Sequence, residues 1–541
     1  MAAESKTLTG HTIRRRGALG ATASTLGAAL AFQAAQTLPF ARVAFARGAA
    51  RGEGGTLVYA RAGDPDNLDP ALQGPDTIAT QQIFESLVTF DGATTDIRPS
   101  LARSWEVAPD GLTYWFKLRQ GVRFHDGTPF DAVAVKWNFD RWQYEDNPYH
   151  KGNFQYWQYV AGFNETIRNV DVVDSETIQI SLNRIHGPFL LNLALFAFGF
   201  FSPTALERDY EAALRHPIGT GPFRFVARVP GDRVELERND DYWGDRASLD
   251  RVVIRTLPDN GARYLALRGG SVDMIEGPNG DDVVTARRDR GLSIILRPAL
   301  NVGYIGFNLK AKPFDDLRVR RAVGAAIDRP SIVSALYGST AQVASQLVPP
   351  SMLGWNAEVK GPQFDPARAR ALLAEAGLSA GFATDFWYMP VNRPYMPESK
   401  AIGEAIASDL GKVGIRVTLK TEDWGTFLTG RTQGKYPIYE LGWIGDNGDP
   451  DNFLFTFFGN LAGENTWDNP TVRDLVRRAQ QSGDSIERAE LYRQVNALTD
   501  QELPRIPLAH NQTPLIARSY VKGFVANPTA HEFYNTVWLD K

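Results

Sequence analysis

The stretch NVGYIGFNLKAKPFDDLRVRRAVGAAI, residues 301–327, changes its hydrophobic pattern halfway along. Residues 301–309 are apolar or small at most positions and include Val, Tyr, Ile and Phe, which predicts a buried strand. After a polar turn around Pro313, residues 317–327 place apolar side chains at helical spacing. A strand that leads directly into an amphipathic helix is typical of layered α/β proteins.

Similar units recur on both sides of this stretch. Strands are predicted at 56–63, 112–118, 177–182, 224–229, 234–238, 251–257 and 415–420, and VRF at 122–124 is predicted to pair with 112–118 as a hairpin. Helices are predicted at 78–90, 132–143, 366–378 and 399–414. The apolar run at 189–201 is too short to span a membrane and predicts a buried core element. Together these patterns predict an α/β fold.

Length and composition narrow the class of protein. A chain of 541 residues exceeds the roughly 250–300 residues at which single cores split, so two or more domains are expected. The net charge of −4 shows no excess of basic residues, which argues against a nucleic acid partner. The absence of cysteine excludes disulfides, thiolate metal sites, a cysteine nucleophile and a lipid-modified N-terminal cysteine.

The N-terminus has the features of an export signal. Arg14, Arg15 and Arg16 precede a mild run of Ala, Gly and Leu, and Ala44 and Ala46 form an A-x-A cleavage pattern. This predicts a twin-arginine-type signal peptide at 1–46, cleaved near Ala46, with the general export route as the alternative. A membrane anchor is disfavoured because Gly, Ser, Thr and Gln dilute the apolar run.

The stretch WIGDNGDPDNF, residues 443–453, is rich in oxygen-bearing side chains. It does not fit the spacing of a calcium loop, since Gly448 and Pro450 fall where ligands are needed. The chain has no H-E-x-x-H, G-x-S-x-G or P-loop motif, and the S-x-x-K match at Ser519 lacks its companion motifs. Neither a metal, a cofactor nor a catalytic centre is predicted. Asn447-Gly448 and Asp449-Pro450 are turn dipeptides.

Several long segments together resemble one known family. They are SWEVAPDGLTYWFKLRQGVRFHDGTPFDA at 104–132, PIGTGPFRF at 217–225, DDYWG at 240–244 and LNVGYIGFNLKAKPFDDLRVRRAV at 300–323. In these segments the chain resembles the extracytoplasmic solute-binding proteins of the peptide/nickel family, the soluble receptors of ATP-driven importers. MPVNRPYMP at 389–397 and the 443–453 stretch are most similar to the dipeptide-binding branch.

The resemblance implies a specific fold. It is an α/β, two-lobe periplasmic-binding-protein fold of class II, of the large cluster-C type, with a hinge between the lobes and a small extra subdomain in the first. The implied bounds are 47–298 for the first lobe, including a subdomain at about 90–215, 299–516 for the second lobe, and 517–541 for a C-terminal return to the first. The implied assembly is a monomer that meets the transmembrane permease of an ABC importer.

The resemblance also implies a binding site for a zwitterion. The two charges of a free dipeptide lie roughly 5–7 Å apart, and both need partners when they leave water. Asp446 is similar to the carboxylate that pairs with the ligand's ammonium, and Arg393 to the guanidinium that binds its carboxylate. Trp443 and Tyr395 would form walls of the cleft. Tyr156, Thr77 and Asp76 would contribute from the first lobe.

One position departs from the dipeptide-binding pattern. Asp76, in GPDTIAT at 74–80, places a carboxylate where a small residue is usual, and this extra charge favours basic side chains or another amine-bearing solute. The expected function is a periplasmic receptor that binds dipeptides without chemistry. The alternatives are the same receptor for an oligopeptide, glutathione, haem or a nickel chelate, a secreted hydrolase that uses Ser519, and an export-pathway chaperone.

Overall fold

The computed structural model describes residues 53–72, 74, 77–459 and 467–541. The predicted signal peptide at 1–46 and Asp76 lie outside the described residues. Among the described helices, none combines the length and hydropathy needed to cross a bilayer.

The first large sheet has seven strands and is mixed. Its strands, in spatial order, are Leu292–Arg297, Thr513–Arg518, Met274–Glu276, Thr56–Arg61, Arg251–Thr256, Arg233–Arg238 and Phe223–Val229. The central strand Thr56–Arg61 is parallel to both of its neighbours, and the other pairings are antiparallel.

The second large sheet has six strands and is also mixed. Its order is Ala341–Val343, Arg505–Asn511, Asn301–Phe307, Ile438–Ile444, Phe382–Trp387 and Ile415–Lys420. The last three strands are parallel to one another, and the other pairings are antiparallel. All seven residues of Asn301–Phe307 are buried, as the uninterrupted apolar run predicts for a strand covered on both faces.

Smaller sheets complete the strand inventory of the described chain. An antiparallel four-stranded sheet has the order Ala102–Val107, Thr113–Leu118, Thr177–Leu182 and Ile167–Asp174. Two hairpin-like pairs are Val88–Phe90 with Ile97–Pro99 and Val521–Lys522 with Trp538–Leu539.

The helices surround these sheets. The α-helices are Thr80–Ile83, Ala132–Gln143, Phe163–Thr166, Phe189–Leu193, Pro203–Arg208, Tyr210–Arg215, Asn260–Gly269, Gly280–Ala286, Leu317–Ala326, Arg329–Leu336, Pro366–Glu375, Ser399–Gly411, Trp424–Thr432, Asp451–Phe458, Pro470–Gln480 and Ser485–Glu502. Tyr156–Val160 is a π-helix, and Phe196–Phe198 and Gly338–Thr340 are 3₁₀ turns. The mixed α/β prediction is confirmed.

The chain crosses between the two large sheets twice. It leaves the first sheet after Arg297 and enters the second at Asn301, and it returns between Asn511 and Thr513. The sequence had placed this return at 516–517, but the strand Thr513–Arg518 pairs along its whole length within the first sheet. The bounds of the lobes themselves stay a prediction.

Two of the predicted elements are wrong. Residues 78–90 are helical only at Thr80–Ile83, because the carbonyl of Glu85 accepts from the N–H of Phe200, and the chain then enters the strand Val88–Phe90. The predicted hairpin partner of 112–118, at 122–124, is no strand of any of these sheets. The strand Thr113–Leu118 pairs instead with Ala102–Val107 and Thr177–Leu182.

A buried glutamate lies in the middle of the second sheet. Glu440 is fully buried, and its Oε1 accepts hydrogen bonds from the Ser399 hydroxyl and, at 3.1 Å, from the Met389 N–H. Its Oε2 is buried and has no hydrogen-bond partner among the described residues. Burial raises the pKa of Glu440 to about 8 although these two hydrogen bonds lower it, so the side chain is mainly protonated at neutral pH.

Candidate functional site

A cavity of about 610 Å³ lies where the two large sheets approach each other. This volume is within the range of small-ligand sites. The structure brings six of the seven predicted site residues to its lining, namely Thr77, Tyr156, Arg393, Tyr395, Trp443 and Asp446. The seventh, Asp76, lies outside the described residues.

Strand ends of the first sheet supply charged groups to the cavity. Arg61, Glu276 and Arg297 are the last residues of three strands that run in the same direction, and all three line the cavity. Open α/β sheets bind ligands beyond the carboxyl ends of their strands, because the loops that follow these ends share one edge.

The second sheet uses the same geometry. Arg393, Trp424 and Asp446 each follow the carboxyl end of one of its three parallel strands. The cation and the carboxylate that the sequence singles out therefore lie on the same edge of one sheet, although 53 positions separate them in the chain.

Asp446 is held by neutral hydrogen-bond donors. Its Oδ1 accepts from the hydroxyl of Tyr156 at 3.1 Å, and its Oδ2 accepts from Nδ2 of Asn452 at 3.1 Å. Within the described chain no basic side chain forms an ion pair with Asp446. Burial raises the pKa of Asp446 above its usual value, while the hydrogen bonds from Asn452 and Tyr156 oppose this. The carboxylate is thus partly desolvated and lacks a cation.

Asn452 fixes the orientation of the whole carboxylate segment. Its Oδ1 accepts from the indole N–H of Trp443 at 3.0 Å and from the backbone N–H of Asp446 at 3.0 Å. The Trp443 ring packs edge-on against Phe457 with a centroid distance of 6.1 Å. Asn452 belongs to the helix Asp451–Phe458, so a rigid element holds both the aromatic wall and the acid.

Arg393 lies in an exposed turn that follows the strand Phe382–Trp387 and lines the cavity. Its backbone exchanges hydrogen bonds of 3.1 and 2.8 Å with Met396, which closes the turn. The guanidinium carbon is 5.3 Å from the centre of the Trp424 ring, a cation–π contact that leaves hydrogen-bond donors available to a ligand. The side chain is therefore positioned by a ring rather than by a carboxylate.

Tyr395 is more deeply buried than a simple cleft wall. It is 6 % exposed, and the hydroxyl of Tyr337 donates to its carbonyl at 2.9 Å. Its ring lies against Gly442, where a Cβ atom would approach Tyr395 Cδ2 to 2.2 Å. The backbone of the second sheet can pass this close only because residue 442 has no side chain.

Thr77 presents little free polar surface to the cavity. It is 4 % exposed, and its hydroxyl oxygen accepts from Nε2 of Gln81 at 2.6 Å. The Thr77 carbonyl accepts from the N–H of Gln81 at 3.0 Å and from the Thr80 hydroxyl at 2.8 Å. Thr77 thus shapes the first-sheet side of the lining through its place at the start of a short helix.

An ion-pair cluster on the first-sheet side was not anticipated from the sequence. Arg297 donates to Glu532 Oε1 through Nε at 2.9 Å and Nη2 at 2.7 Å, and to Glu276 Oε1 through Nη1 at 2.7 Å. Burial alone would raise the pKa of Glu276, but Arg297 and Arg61 outweigh it and lower that pKa to about 2. The structure places Arg61 and Arg297 at strand ends, which the sequence analysis did not predict.

The C-terminal segment and one helix add further lining residues. His531 is buried between Phe90 and Phe533, and burial lowers its pKa to about 4, so it is neutral at pH 7. Leu428 and Arg431 line the cavity from the same helical face as Trp424. Helical spacing of i, i+4 and i+7 from residue 424 could have indicated this face.

Ser519 does not belong to this site. It is absent from the cavity lining, and its backbone N–H donates to the carbonyl of Gly291 at 2.9 Å. Within the described residues, no three His, Asp or Glu side chains form a group able to hold a metal ion. The cavity offers a carboxylate, guanidinium groups and aromatic walls, a set suited to enclosing a small charged solute.

The two-sheet fold and this enclosed, charged cavity define a solute-binding protein. Residues 96–465 match the family described as Bacterial extracellular solute-binding proteins, family 5 Middle. The chain belongs to this family, whose two-lobe fold it has. Its lobes are built around the first and the second large sheet.

Relatives and a solved structure are similar to this chain over most of its length. The chain is 36 % identical to the Dipeptide-binding protein of Escherichia coli (strain K12), over 90 % of this chain and 95 % of that protein. It is 35 % identical to Heme-binding protein A of Haemophilus influenzae, over 90 % and 92 %. A dipeptide-binding protein from Pseudoalteromonas sp. SM9913 in complex with Met-Leu has a TM-score of 0.78 and 28 % identity, covering 90 % of this chain and all of the other.

Proposed function

We propose that this protein is the peptide-binding component of an ABC importer. It captures a dipeptide or short peptide in the cavity between its lobes by both charged termini and delivers it to the transmembrane permease. One observation carries the proposal: the same cavity is lined by a partly desolvated carboxylate and by a guanidinium, and among the described residues neither has an oppositely charged partner.

Asp446 is the proposed partner of the peptide ammonium. Its carboxylate already accepts hydrogen bonds from Tyr156 and Asn452, which hold both oxygens in place without neutralising the charge. An ammonium that enters gains a charge-assisted hydrogen bond to a preorganised acceptor. The acid is already buried before the ligand arrives, and this burial raises its pKa. Much of the cost of its desolvation therefore precedes binding.

Arg393 is the proposed partner of the peptide carboxylate. Its guanidinium carbon lies 5.3 Å from the centre of the Trp424 ring, and this contact does not use up the N–H donors that a carboxylate would need. A guanidinium can bind a carboxylate through two parallel hydrogen bonds. Trp443 and Tyr395 then form the walls between the two charged subsites, with Tyr156 and Thr77 opposite.

Calorimetry with a matched set of ligands tests this assignment. Met-Leu, N-acetyl-Met-Leu and Met-Leu amide differ only in which terminal charge is present. We expect Met-Leu to bind and each blocked form to lose at least about tenfold in affinity. Equal binding of all three forms would exclude recognition by the termini. Haem is titrated in parallel because a relative carries the name Heme-binding protein A. Binding of haem but not of Met-Leu would identify haem, instead of a peptide, as the ligand.

The remaining parts of the proposal concern the setting. We propose that the protein is exported by the twin-arginine pathway with cleavage near Ala46, acts as a periplasmic monomer and has no catalytic activity. The proposed bounds are 47–298 for the first lobe, with a subdomain at about 90–215, 299–516 for the second lobe and 517–541 for the return to the first; the pairing of Thr513–Arg518 in the first sheet supports a return that begins a few residues earlier. Sequencing the N-terminus of the mature protein tests the cleavage site. Replacing the twin arginines by lysines tests the export route, because it should stop export by the twin-arginine pathway.

A further inference from the structure

We propose that the 446–449 loop, which lies within the connection between the strand Ile438–Ile444 and the helix Asp451–Phe458, couples ligand binding to lobe closure. Its residues Asn447 and Gly448, with Asn192 opposite, act as positioning residues that set ligand affinity without touching the ligand, and Thr95 is the side chain against which Gly448 packs. The inference rests on the proposed function, because the same loop begins with the carboxylate proposed to bind the peptide ammonium.

The loop is fixed rigidly within the second lobe. One guanidinium nitrogen of Arg488, Nη2, donates to both carboxylate oxygens of Asp449 at 2.7 and 2.8 Å, and Arg488 Nε donates to the carbonyl of Ala479 at 2.9 Å. The side-chain Oδ1 of Asn447 accepts from the N–H of Asp449 at 2.9 Å, which forms a tight turn. The loop therefore moves with the second lobe as one body.

Three consecutive loop residues each meet a different segment of the chain that precedes the second lobe. The Asp446 carboxylate accepts from the Tyr156 hydroxyl, and Asn447 Nδ2 donates to Asn192 Oδ1 at 2.6 Å. Gly448 lies so close to Thr95 that a Cβ atom on residue 448 would lie 2.0 Å from Thr95 Oγ1. These contacts come from a π-helix, a short helix and the connection between the strands Val88–Phe90 and Ile97–Pro99.

The Asn192–Asn447 pair is buried, so it behaves unlike a surface contact. Both side chains are 2 % exposed, and Asn192 Nδ2 also lies 3.1 Å from Nε2 of His186. Separating the lobes would return both amides to water, whereas bringing them together without the pair would leave a buried amide unsatisfied. The hydrogen bond between Asn192 and Asn447 therefore stabilises one relative placement of the lobes.

A second contact nearby has the same character. The N–H of Gly187 donates to the carbonyl of Gln480 at 2.7 Å, and a Cβ atom on Gly187 would lie 2.7 Å from the carbonyl oxygen of Ser482. Gly187 and Asn192 therefore contact two parts of the second lobe, the end of the helix Pro470–Gln480 and the 446–449 loop. Residue 446 is the proposed ligand-binding carboxylate, and residues 446, 447 and 448 all contact the other lobe, so a movement of this internally bonded loop changes both the ligand site and the contact between the lobes.

Steric compensation gives a direct test. In Gly448→Ala the added methyl group clashes with Thr95, both at Oγ1 and, at 2.3 Å, at Cβ. We expect Gly448→Ala to weaken Met-Leu binding by at least about tenfold, mainly through a faster off-rate. Thr95→Gly alone should change affinity by less than about threefold, and the double variant should recover to within about threefold of the wild type. No loss in Gly448→Ala, or a loss that Thr95→Gly does not restore, would overturn the proposal.

Asn192→Ala gives a second test with a matched control. It removes the acceptor of the buried pair, while Asn183→Ala removes an exposed asparagine whose Nδ2 donates only within the first lobe, to the carbonyl of Glu165 at 3.1 Å. We expect about tenfold weaker Met-Leu binding for Asn192→Ala and little change for Asn183→Ala; the melting temperature of Asn192→Ala should also be lower, because Asn192 has contacts to His186 and Ala161 within the first lobe. Equal affinities of the two variants would contradict the role of Asn192.

A ligand-free measurement separates failure of this inference from failure of the proposed function. The chain has no cysteine, so cysteines introduced at the exposed Val173 and Lys400 carry spin labels without a background. If wild-type protein does not bind Met-Leu, the peptide function fails, but Gly448→Ala should still shift the label-to-label distances upward and Thr95→Gly should reverse the shift. Unchanged distances in every variant would overturn the loop's role by itself.

Discussion

Replacing Asp446 by asparagine removes one charge from the cavity and almost no volume. The asparagine Oδ1 can still accept from Tyr156, but its amide nitrogen then faces Nδ2 of Asn452, so the change removes the charge together with one hydrogen bond inside the protein. At a separation of about 3 Å and an effective dielectric constant of about 20, an ammonium and a carboxylate attract each other by about 5 kcal/mol. Part of this is already offset by the hydrogen bond that the amide retains.

We therefore expect Asp446→Asn to cost about 2–4 kcal/mol of Met-Leu binding free energy, roughly 30- to 1000-fold in Kd. The assay is isothermal titration of wild type and variant with Met-Leu and with N-acetyl-Met-Leu. The acetylated ligand has no ammonium and should be bound equally weakly by both proteins. A loss below about tenfold for Met-Leu, or an equal additional loss for the acetylated form, would refute the pairing.

The pH dependence of binding follows from the same carboxylate. Burial raises the pKa of Asp446 in the ligand-free protein, so protonation competes with the ammonium at a higher pH than for an exposed aspartate. Affinity for Met-Leu is expected to fall as the pH is lowered through this pKa. The same titration on Asp446→Asn should show a flatter profile. Parallel profiles for the two proteins would contradict this source of the pH dependence.

Three further predictions concern other groups. Arg393→Lys should weaken Met-Leu binding less than Arg393→Ala, because lysine keeps the charge but cannot form two parallel hydrogen bonds; calorimetry that ranks lysine equal to alanine would contradict this. Glu440 has a folded-state pKa of about 8, above its ordinary value, so its contribution to stability is full at acid pH and declines as the pH rises toward 8. Glu440→Gln should therefore raise the melting temperature at pH 8 more than at pH 5, and an equal effect at both pH values would speak against a buried neutral acid. Arg297→Met leaves the buried Glu532 without its cation and should lower the free energy of unfolding by about 3 kcal/mol in urea titrations of the ligand-free protein, whereas a change below about 1 kcal/mol would show that the ion pair contributes little.

Local sequence patterns predicted the strand–helix units well where one face is covered and the other meets solvent. The helix Ala132–Gln143 has the predicted bounds, and the side chain of Asp131 caps it by accepting from the N–H of Ala134 at 3.0 Å. The strand Ile415–Lys420 alternates between less and more exposed residues, as its sequence predicts. In these segments the pattern that sets local structure also sets burial.

The prediction for residues 78–90 was wrong for a physical reason. Every residue from Thr77 to Phe90 is buried, so the spacing of apolar side chains carries no information about a solvent-facing side. Long-range partners decide the conformation. The carbonyls of Gln82 and Ile83 lie against Gly221 and Gly219, where added Cβ atoms would approach them to 2.4 and 2.1 Å.

The candidate site also contains residues that the sequence predicted and residues that it did not. Asp446, Arg393 and Trp443 lie in short segments that the family resemblance marks, and their common cavity agrees with the predicted clustering. Arg297 and Glu532 are 235 positions apart, and neither stands in a motif. Pairing at such a separation depends on how the C-terminal segment returns to the first sheet, which no local pattern contains.

The position of the strand Thr513–Arg518 affects how the protein is made. This strand lies inside the first sheet, between Leu292–Arg297 and Met274–Glu276, and the amide of Gln82 donates to the carbonyl of Glu532 at 2.7 Å. A nascent chain still lacking residues 513–541 therefore has the means to form its second sheet but not to finish the first. Folding therefore cannot proceed simply from the N-terminus, because the first sheet and the solute cavity beside it are completed only when residues 513–541 are available.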